Sequence, residues 1–331
     1  MSRLRVLCVL VLAFSASPAW AWWDAGHKII AAIAFRQLSA EQQQATFELL
    51  KAHPRWQPDF AEWMPEPLAH GDIGEQAEWS FMQAAVWPDI VRDFEGDDKT
   101  TYHHATWHYV NIPLFLSDGD RMALSGKLTV NVSTQPPPEP IEAMNIIQAT
   151  QVARTLIADP ATPPETKAVM LTWLFHLVGD SHQPMHSTAC FSQRLFPEGC
   201  RGGNSIKTKQ RENLHALWDS LLGERLGYRQ ARNEALKLMS DAELKAAGER
   251  AVKSLDPVQW IRESRETAEA VALGPEVLSP LRAADRAGEK IPTIALTDEY
   301  LSHAGQVAKR RAVESGYRLG AVLKEIVATG E

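Results

Sequence analysis

The chain is poor in cysteine, with three in 331 residues, and it has no apolar run as long as 18 residues. The first scarcity excludes a disulfide-dense scaffold, and the second excludes a bundle of transmembrane helices. Positive charge is not in excess either: 34 Lys and Arg stand against 41 Asp and Glu, a net of -7. A broad basic surface for nucleic acid is thereby excluded, so a phosphate would have to be met by a local cluster of charge or by metal ions. β-type alternation is confined to short pieces such as Lys127 to Val132, and there is no internal repeat or low-complexity linker. What is present, 45% hydrophobic and 23% charged residues, suffices for a full globular core.

The first 21 residues form a unit of their own. Arg3 and Arg5 precede an apolar run from Val6 to Phe14, and Ala19-Trp20-Ala21 follows, the order of a secretory signal. A membrane anchor is the alternative, but the run is too short to span a bilayer. Cleavage after Ala21 would make Trp22 the N-terminus, take the net charge to -9 and leave Cys190 and Cys200 as the only thiols. In an oxidising export compartment that pair reads as one disulfide stapling a short loop, with two unpaired buried thiols as the alternative. The nine residues between them are not the gap of a tight zinc knuckle. The short signal and sparse cysteines point to a bacterial host and a secreted or periplasmic location.

Helical periodicity dominates the rest, and the expected fold class is all-α, with residues 22–331 as one domain. Helices are predicted over Gly26 to Gln37, Ala40 to Ala52, Gly74 to Val86, Pro140 to Ile157, Pro164 to Gly179, Lys207 to Leu222, Pro257 to Val271 and Thr297 to Thr329, with Ser39 and Thr297 as N-caps. Long connections separate them at Phe94 to Thr106, Phe115 to Glu139 and His186 to Ser205. Connections of that length in a compact domain tend to be functional.

His and Asp carry the chemical signal. His176 and Asp180 stand four apart on one predicted helix, and His215 and Asp219 repeat that spacing on another. Side chains four apart share a helical face, about 5–6 Å between Cβ atoms, close enough for one ion to take a ligand from each. Both pairs are flanked by apolar residues such as Trp173, Leu177, Leu214 and Leu217, so they would point into the interior, where polar groups must be paired or bind metal. A His–carboxylate hydrogen bond or a solvated face accounts for either pair alone. With His186 added, mixed imidazole and carboxylate donors favour zinc over calcium or magnesium.

Further motifs complete an ordered set: Trp22-Trp23-Asp24-Ala25-Gly26-His27, Trp87-Pro88-Asp89, Trp107-His108-Tyr109-Val110-Asn111 and Gly202-Gly203-Asn204. Together with the two His-x3-Asp pairs and His186, they resemble the S1/P1 family of zinc-dependent single-strand nucleases and nucleotidases over nearly all of the mature chain. The resemblance implies a mainly helical phospholipase C/nuclease-type fold around three zinc ions. One ion would be held by Asp89, His108, His176 and Asp180, with Asp180 bridging to a second. That second ion would also take His27 and the α-amino group and carbonyl oxygen of Trp22, and the third would take His186, His215 and Asp219. It further implies single-stranded DNA or RNA and nucleotides as substrates, with 3′-nucleotidase activity beside endonuclease activity. Asn111 and Asp180 would be catalytic, Asn204, Tyr109 and Arg92 would contact substrate, and no stable protein partner or membrane is called for.

The chain departs from the family pattern at Asn111, where many members carry an aspartate thought to orient or deprotonate the attacking water. Asparagine can hold a water but cannot take its proton. Ile112 to Leu116 also lacks the basic residue usual there, leaving Arg92, Arg201 or Lys207 as substitutes. His53, His70, His103, His104, His182 and His303 match no ligand position, and their expected role is surface or hydrogen-bonded, with substrate contact as the alternative for His103 and His104, which lie near the site. Two other functions fit part of the pattern. A zinc phospholipase C shares the fold and cluster, but it has glutamate where Asp219 stands and more than four residues between Trp22 and His27. A non-catalytic zinc-binding protein of the export compartment would have full ligation and an inert pocket.

Overall fold

The computed structural model describes residues 22–137 and 142–328; the signal-peptide expectation lies outside the described residues. The helices are α1 (Asp24–Phe35), α2 (Ala40–Lys51), α3 (Glu66–Ala69), α4 (Ile73–Ile90), α5 (Gly96–Tyr102), α6 (Asp118–Leu124), α7 (Ile146–Ala158), α8 (Pro164–Asp180), α9 (Leu214–Asp219), α10 (Tyr228–Ser240), α11 (Ala242–Ala251), α12 (Pro257–Thr267), α13 (Pro275–Ala287) and α14 (Asp298–Ala328). Two four-residue strands, β1 (Ile112–Phe115) and β2 (Thr188–Phe191), pair in parallel with Ile112 opposite Thr188 and Phe115 opposite Phe191. The fold is all-α, as expected, and no described helix is long and apolar enough to cross a membrane.

Helices α1, α4 and α8 form the centre. α1 is Ala- and Ile-rich, buried from Ala25 to Phe35 apart from Lys28, and packs on α4, α10 and α14. Small side chains let these helices approach closely: a Cβ on Gly316 of α14 would sit 2.6 Å from Ile33. One apolar cluster runs through α1, α4, α7, α8 and α14, and a second gathers β2, α9, α13 and the start of α14. The metal-type side chains lie where these two clusters meet.

Local chemistry sets the helix ends. Ser39 and Gln42 form a reciprocal capping box at α2, and the Thr297 hydroxyl accepts from Tyr300 N–H at 3.1 Å at the head of α14, as predicted. The helix expected from Pro140 begins only at Ile146, because Asn145 caps it and accepts from the N–H groups of Ile147 and Gln148. The helix expected from Lys207 begins at Leu214, because Lys209 N–H bonds to Ile294 O at 2.8 Å and the Thr208 hydroxyl folds onto Arg211. The helix expected through Val271 stops as α12 at Thr267 and continues as a wider π turn over Ala268–Ala272. Lys127 to Val132 is coil, and the strands lie elsewhere. Helices α10, α11 and α13 lie outside the predicted set: the buried faces of α10 and α11 rest largely on small residues, as with Ala231 and Ala235 beside Leu238, whereas α13 buries Val277, Leu278 and Leu281.

Candidate metal centre

Six segments converge. α8 supplies His176 and Asp180 one turn apart, α4 supplies Asp89 at its end, and α1 supplies His27. The 3-10 turns Ala105–His108 and Pro184–His186 supply His108 and His186, and α9 supplies His215 and Asp219. All eight side chains are nearly or fully buried. They fall into three groups with ligand atoms within 4.8 Å of one another: His27, His176 and Asp180; Asp89, His108 and His176; and His186, His215 and Asp219.

Asp180 is the hub. Its Oδ2 lies 3.0 Å from His108 Nδ1 and 3.1 Å from His176 Nε2, and its Oδ1 lies 3.3 Å from His27 Nε2. The imidazole of His27 stacks on that of His176 at 4.0 Å. Gly179 makes this possible, since a Cβ there would sit 2.7 Å from His27 Nδ1. Trp22 is fully buried beside it, its indole N–H donating to Gly179 O at 3.1 Å.

The outer hydrogen bonds fix which nitrogen is free. His176 Nδ1 donates to Ala85 O at 2.8 Å, His186 Nδ1 to His108 O at 2.6 Å, and His215 Nδ1 to Gly202 O at 2.7 Å. A carbonyl only accepts, so each Nδ1 carries the proton and each Nε2 presents a lone pair inward. His186 Nε2 and His215 Nε2 then face each other at 3.1 Å, with Asp219 Oδ2 at 3.5 Å from the latter. Three lone pairs converging on one point repel unless a cation stands among them. Moreover, Asp180 Oδ1, Asp219 Oδ2, His108 Nε2 and both ring nitrogens of His27 are buried without a hydrogen-bond partner. A buried orphan of this kind costs about 1–3 kcal/mol, and metal coordination removes several at once. The donor set therefore fits zinc.

The charges agree. Burial, then neighbouring imidazole, lowers the pKa of His27 and brings His215 to about 3; burial, then Arg92, brings His108 to about 3. Burial also lowers His186. These rings are neutral at pH 7 and available as ligands. For His176, burial is outweighed by Asp180 and Asp89, which raise it. Burial would raise Asp180, but His176 and His186 outweigh it and hold the carboxylate well below its usual range. Burial pushes Asp219 well above that range, despite the Gln183 amide donating to its Oδ1 at 2.6 Å.

Beside the groups lies a cavity of about 290 Å³ lined by Arg92, His103, Tyr109, Asn111, Arg201 and Asn204 together with His108, His186 and His215. Four of the expected substrate and catalytic residues thus share one wall. Arg92 is held there by Asp89 Oδ1 at 2.7 Å and lies 3.2 Å from His108 Nδ1. Lys207 does not line the cavity. Trp107 is buried, stacked on His104 and set edge-on to Trp173, so it packs rather than receives a base; Tyr109 is 36% exposed. Gly202 has φ +57, and a Cβ there would sit 2.5 Å from Met185 O and 3.2 Å from His215 Nδ1. Only glycine fits at the point that fixes His215.

The expected Cys190–Cys200 disulfide is not formed in this structure: both residues are free, fully buried thiols. They are nonetheless neighbours, with Cys190 N–H donating to Cys200 Sγ at 2.9 Å, so packing and hydrogen bonding hold the loop here. The other histidines behave as expected where they are buried. His182 is tied to Val178 O and Arg318, and His53 packs edge-on to Trp87. Gln183, which anchors Asp219, escapes the sequence reading, and its signal is its place between Asp180 and His186. Arg201, one of the expected substitutes for the missing basic residue, lines the cavity and is the one described non-glycine residue with positive φ (53°).

No curated protein matches this chain. The family model described as S1/P1 Nuclease matches residues 22–328, which spans all eight clustered side chains. With zinc-type donors gathered in three groups inside a helical fold, the chain belongs to the S1/P1 nuclease family of zinc-dependent hydrolases acting on phosphoester bonds.

Proposed function

We propose that this protein is an exported zinc-dependent phosphodiesterase that hydrolyses single-stranded DNA and RNA as an endonuclease and also removes 3′-phosphates from nucleotides. The observation that carries the reading is the convergence of imidazole lone pairs and Asp180 beside a cavity of about 290 Å³ in a chain of this family. Three zinc ions are assigned: one to Asp89, His108, His176 and Asp180; one to Asp180, His27 and the terminal amino group and carbonyl of Trp22; one to His186, His215 and Asp219. Cleavage after Ala21 frees that amino group, and export exposes Cys190 and Cys200 to oxidation into a disulfide. Held by these residues, zinc would supply the acidity that activates a water near neutral pH and the positive charge that polarises phosphate oxygens.

The chain's own residues do the rest. Arg92 and Arg201 give the cavity wall positive charge for a phosphate in an otherwise acidic protein. Asn204 and Asn111 offer amides to phosphate or water oxygens, and exposed Tyr109 offers a face for a base. A cavity of about 290 Å³ admits a flexible strand or a mononucleotide more readily than a stiff duplex.

The reading is tested by incubating the mature protein with single-stranded DNA, RNA, duplex DNA and phosphatidylcholine, before and after chelation and zinc restoration. Cleavage of the single strands, lost and regained with zinc, is expected. Lipid cleavage alone would replace this function with a phospholipase C.

A further inference from the structure

Four imidazoles wall the cavity: His103, His108, His186 and His215. Three belong to the metal-type groups, and His103 does not. It closes α5, its backbone N–H bonded to Lys99 O at 3.0 Å, which fixes where the ring starts. Its neighbour is otherwise engaged: His104 Nδ1 pairs with Glu142 Oε2 at 2.8 Å, and its ring stacks on Trp107 at 3.8 Å. The partly buried His103 ring instead shares the cavity wall with Asn111, whose amide can hold a water but cannot take its proton.

Resting on the phosphodiesterase reading above, we propose that His103 is the proton acceptor for the attacking water, the task that Asn111 cannot perform. The water oxygen bonds to phosphorus as its O–H bond breaks, and the proton passes to the neutral ring nitrogen of His103. The bond from phosphorus to the ester oxygen breaks, and that oxygen leaves with the electron pair and takes a proton from solvent. The His103 imidazolium returns its proton to solvent, which completes one hydrolysis.

The surroundings suit an acceptor. Burial, then Arg92 and Lys99, lower the His103 pKa below the ordinary imidazole value; His104 acts in the same direction and Glu142 against it. The ring is therefore neutral at pH 7 and is lost as an acceptor as pH falls through its own pKa, which gives turnover an acid limb.

The test begins with His103→Gln in the zinc-loaded protein. Turnover on single-stranded DNA should fall about 100-fold, the usual scale of a lost general base, with KM and bound zinc unchanged and the acid limb removed. Adding Asn111→Asp to that variant should restore at least about tenfold, because a carboxylate then stands where a proton can be taken. Independently of turnover, the His103 ring followed by NMR should titrate at higher pH when thymidine 3′-phosphate is bound, since a nearby anion favours the imidazolium. The proposal is overturned by turnover within twofold of wild type with the acid limb intact, by zinc loss accompanying the fall, or by a ring indifferent to the nucleotide. Zinc-loaded wild type that cleaves no nucleic acid overturns the phosphodiesterase reading and this step with it. Wild-type turnover with an unaffected His103→Gln overturns this step alone.

Discussion

The two His-x3-Asp pairs share a spacing and differ in almost everything else. On α8, His176 Nε2 and Asp180 Oδ2 are 3.1 Å apart, and Asp180 is held well below the usual carboxylate range by the imidazoles around it. On α9, His215 Nε2 and Asp219 Oδ2 are 3.5 Å apart, and Asp219 is pushed well above that range by burial. The first carboxylate has imidazole nitrogens from α1, α8 and the 108 turn within 3.3 Å; the second has the Gln183 amide on one oxygen and His215 3.5 Å from the other. Spacing decides what can reach an ion, whereas the neighbours decide how many ions a carboxylate can serve and how much it depends on them.

The comparison breaks first at Asp180. Asp180→Asn should lower turnover about 10³-fold or more, roughly 4 kcal/mol, because it withdraws a ligand from two ions; full activity with full zinc would remove its bridging role. Next in size is one extra residue before Trp22, which turns the amino group into an amide. Kinetic assay should show a loss of about 10–100-fold, the range for weakening one metal site, and unchanged kinetics would mean that Trp22 is not a ligand. Gly202→Ala acts on the other pair through its orienting carbonyl. Competition with a chelator should show about tenfold weaker binding of one ion, with the remaining ions held as before.

The smallest effect concerns pH and sharpens the contrast in charge. In chelated protein, Asp219 has a folded pKa above its unfolded value, so the folded state loses stability as pH rises from about 4 through the raised pKa. Asp180 has the opposite sign: its contribution is present above about 4 and is lost as pH falls through the depressed pKa. Thermal melts of chelated Asp219→Asn should therefore exceed wild type at pH 7, by about 1–3 kcal/mol, and converge with it near pH 4. Chelated Asp180→Asn should melt below wild type at pH 7. Equal shifts in the two variants would show that the pairs are electrostatically alike.

Much of this arrangement was legible beforehand. The capped helices α2 and α14 and the strongly apolar α1 and α8 lie within a few residues of their predicted bounds. Of the eight clustered side chains, His176, Asp180, His215 and Asp219 are readable from helical spacing amid Trp and Leu, and His186 from its place just beyond the first pair, whereas His27, Asp89 and His108 follow only from the resemblance to the S1/P1 family. What escaped depends on partners distant in sequence. Lys207 to Glu212 reads as helix until Ile294 takes its backbone N–H, and β1 and β2 are too short to show alternation before they pair. The alanine-based faces of α10 and α11 give little apolar signal, although burial against α1 and α14 holds them. An oxidising compartment alone makes the two cysteines a bridge, whereas the structure has them as adjacent thiols. His103 matched no motif, and only the cavity brings it beside Asn111.

The most direct test of the unequal pairs is metal analysis of purified wild type, Asp180→Asn and Asp219→Asn after dialysis against the same trace zinc. The account predicts three zinc ions per wild-type chain, loss of two with Asp180→Asn and loss of one with Asp219→Asn. Equal losses from the two variants, or a wild-type chain that retains no zinc, would contradict it.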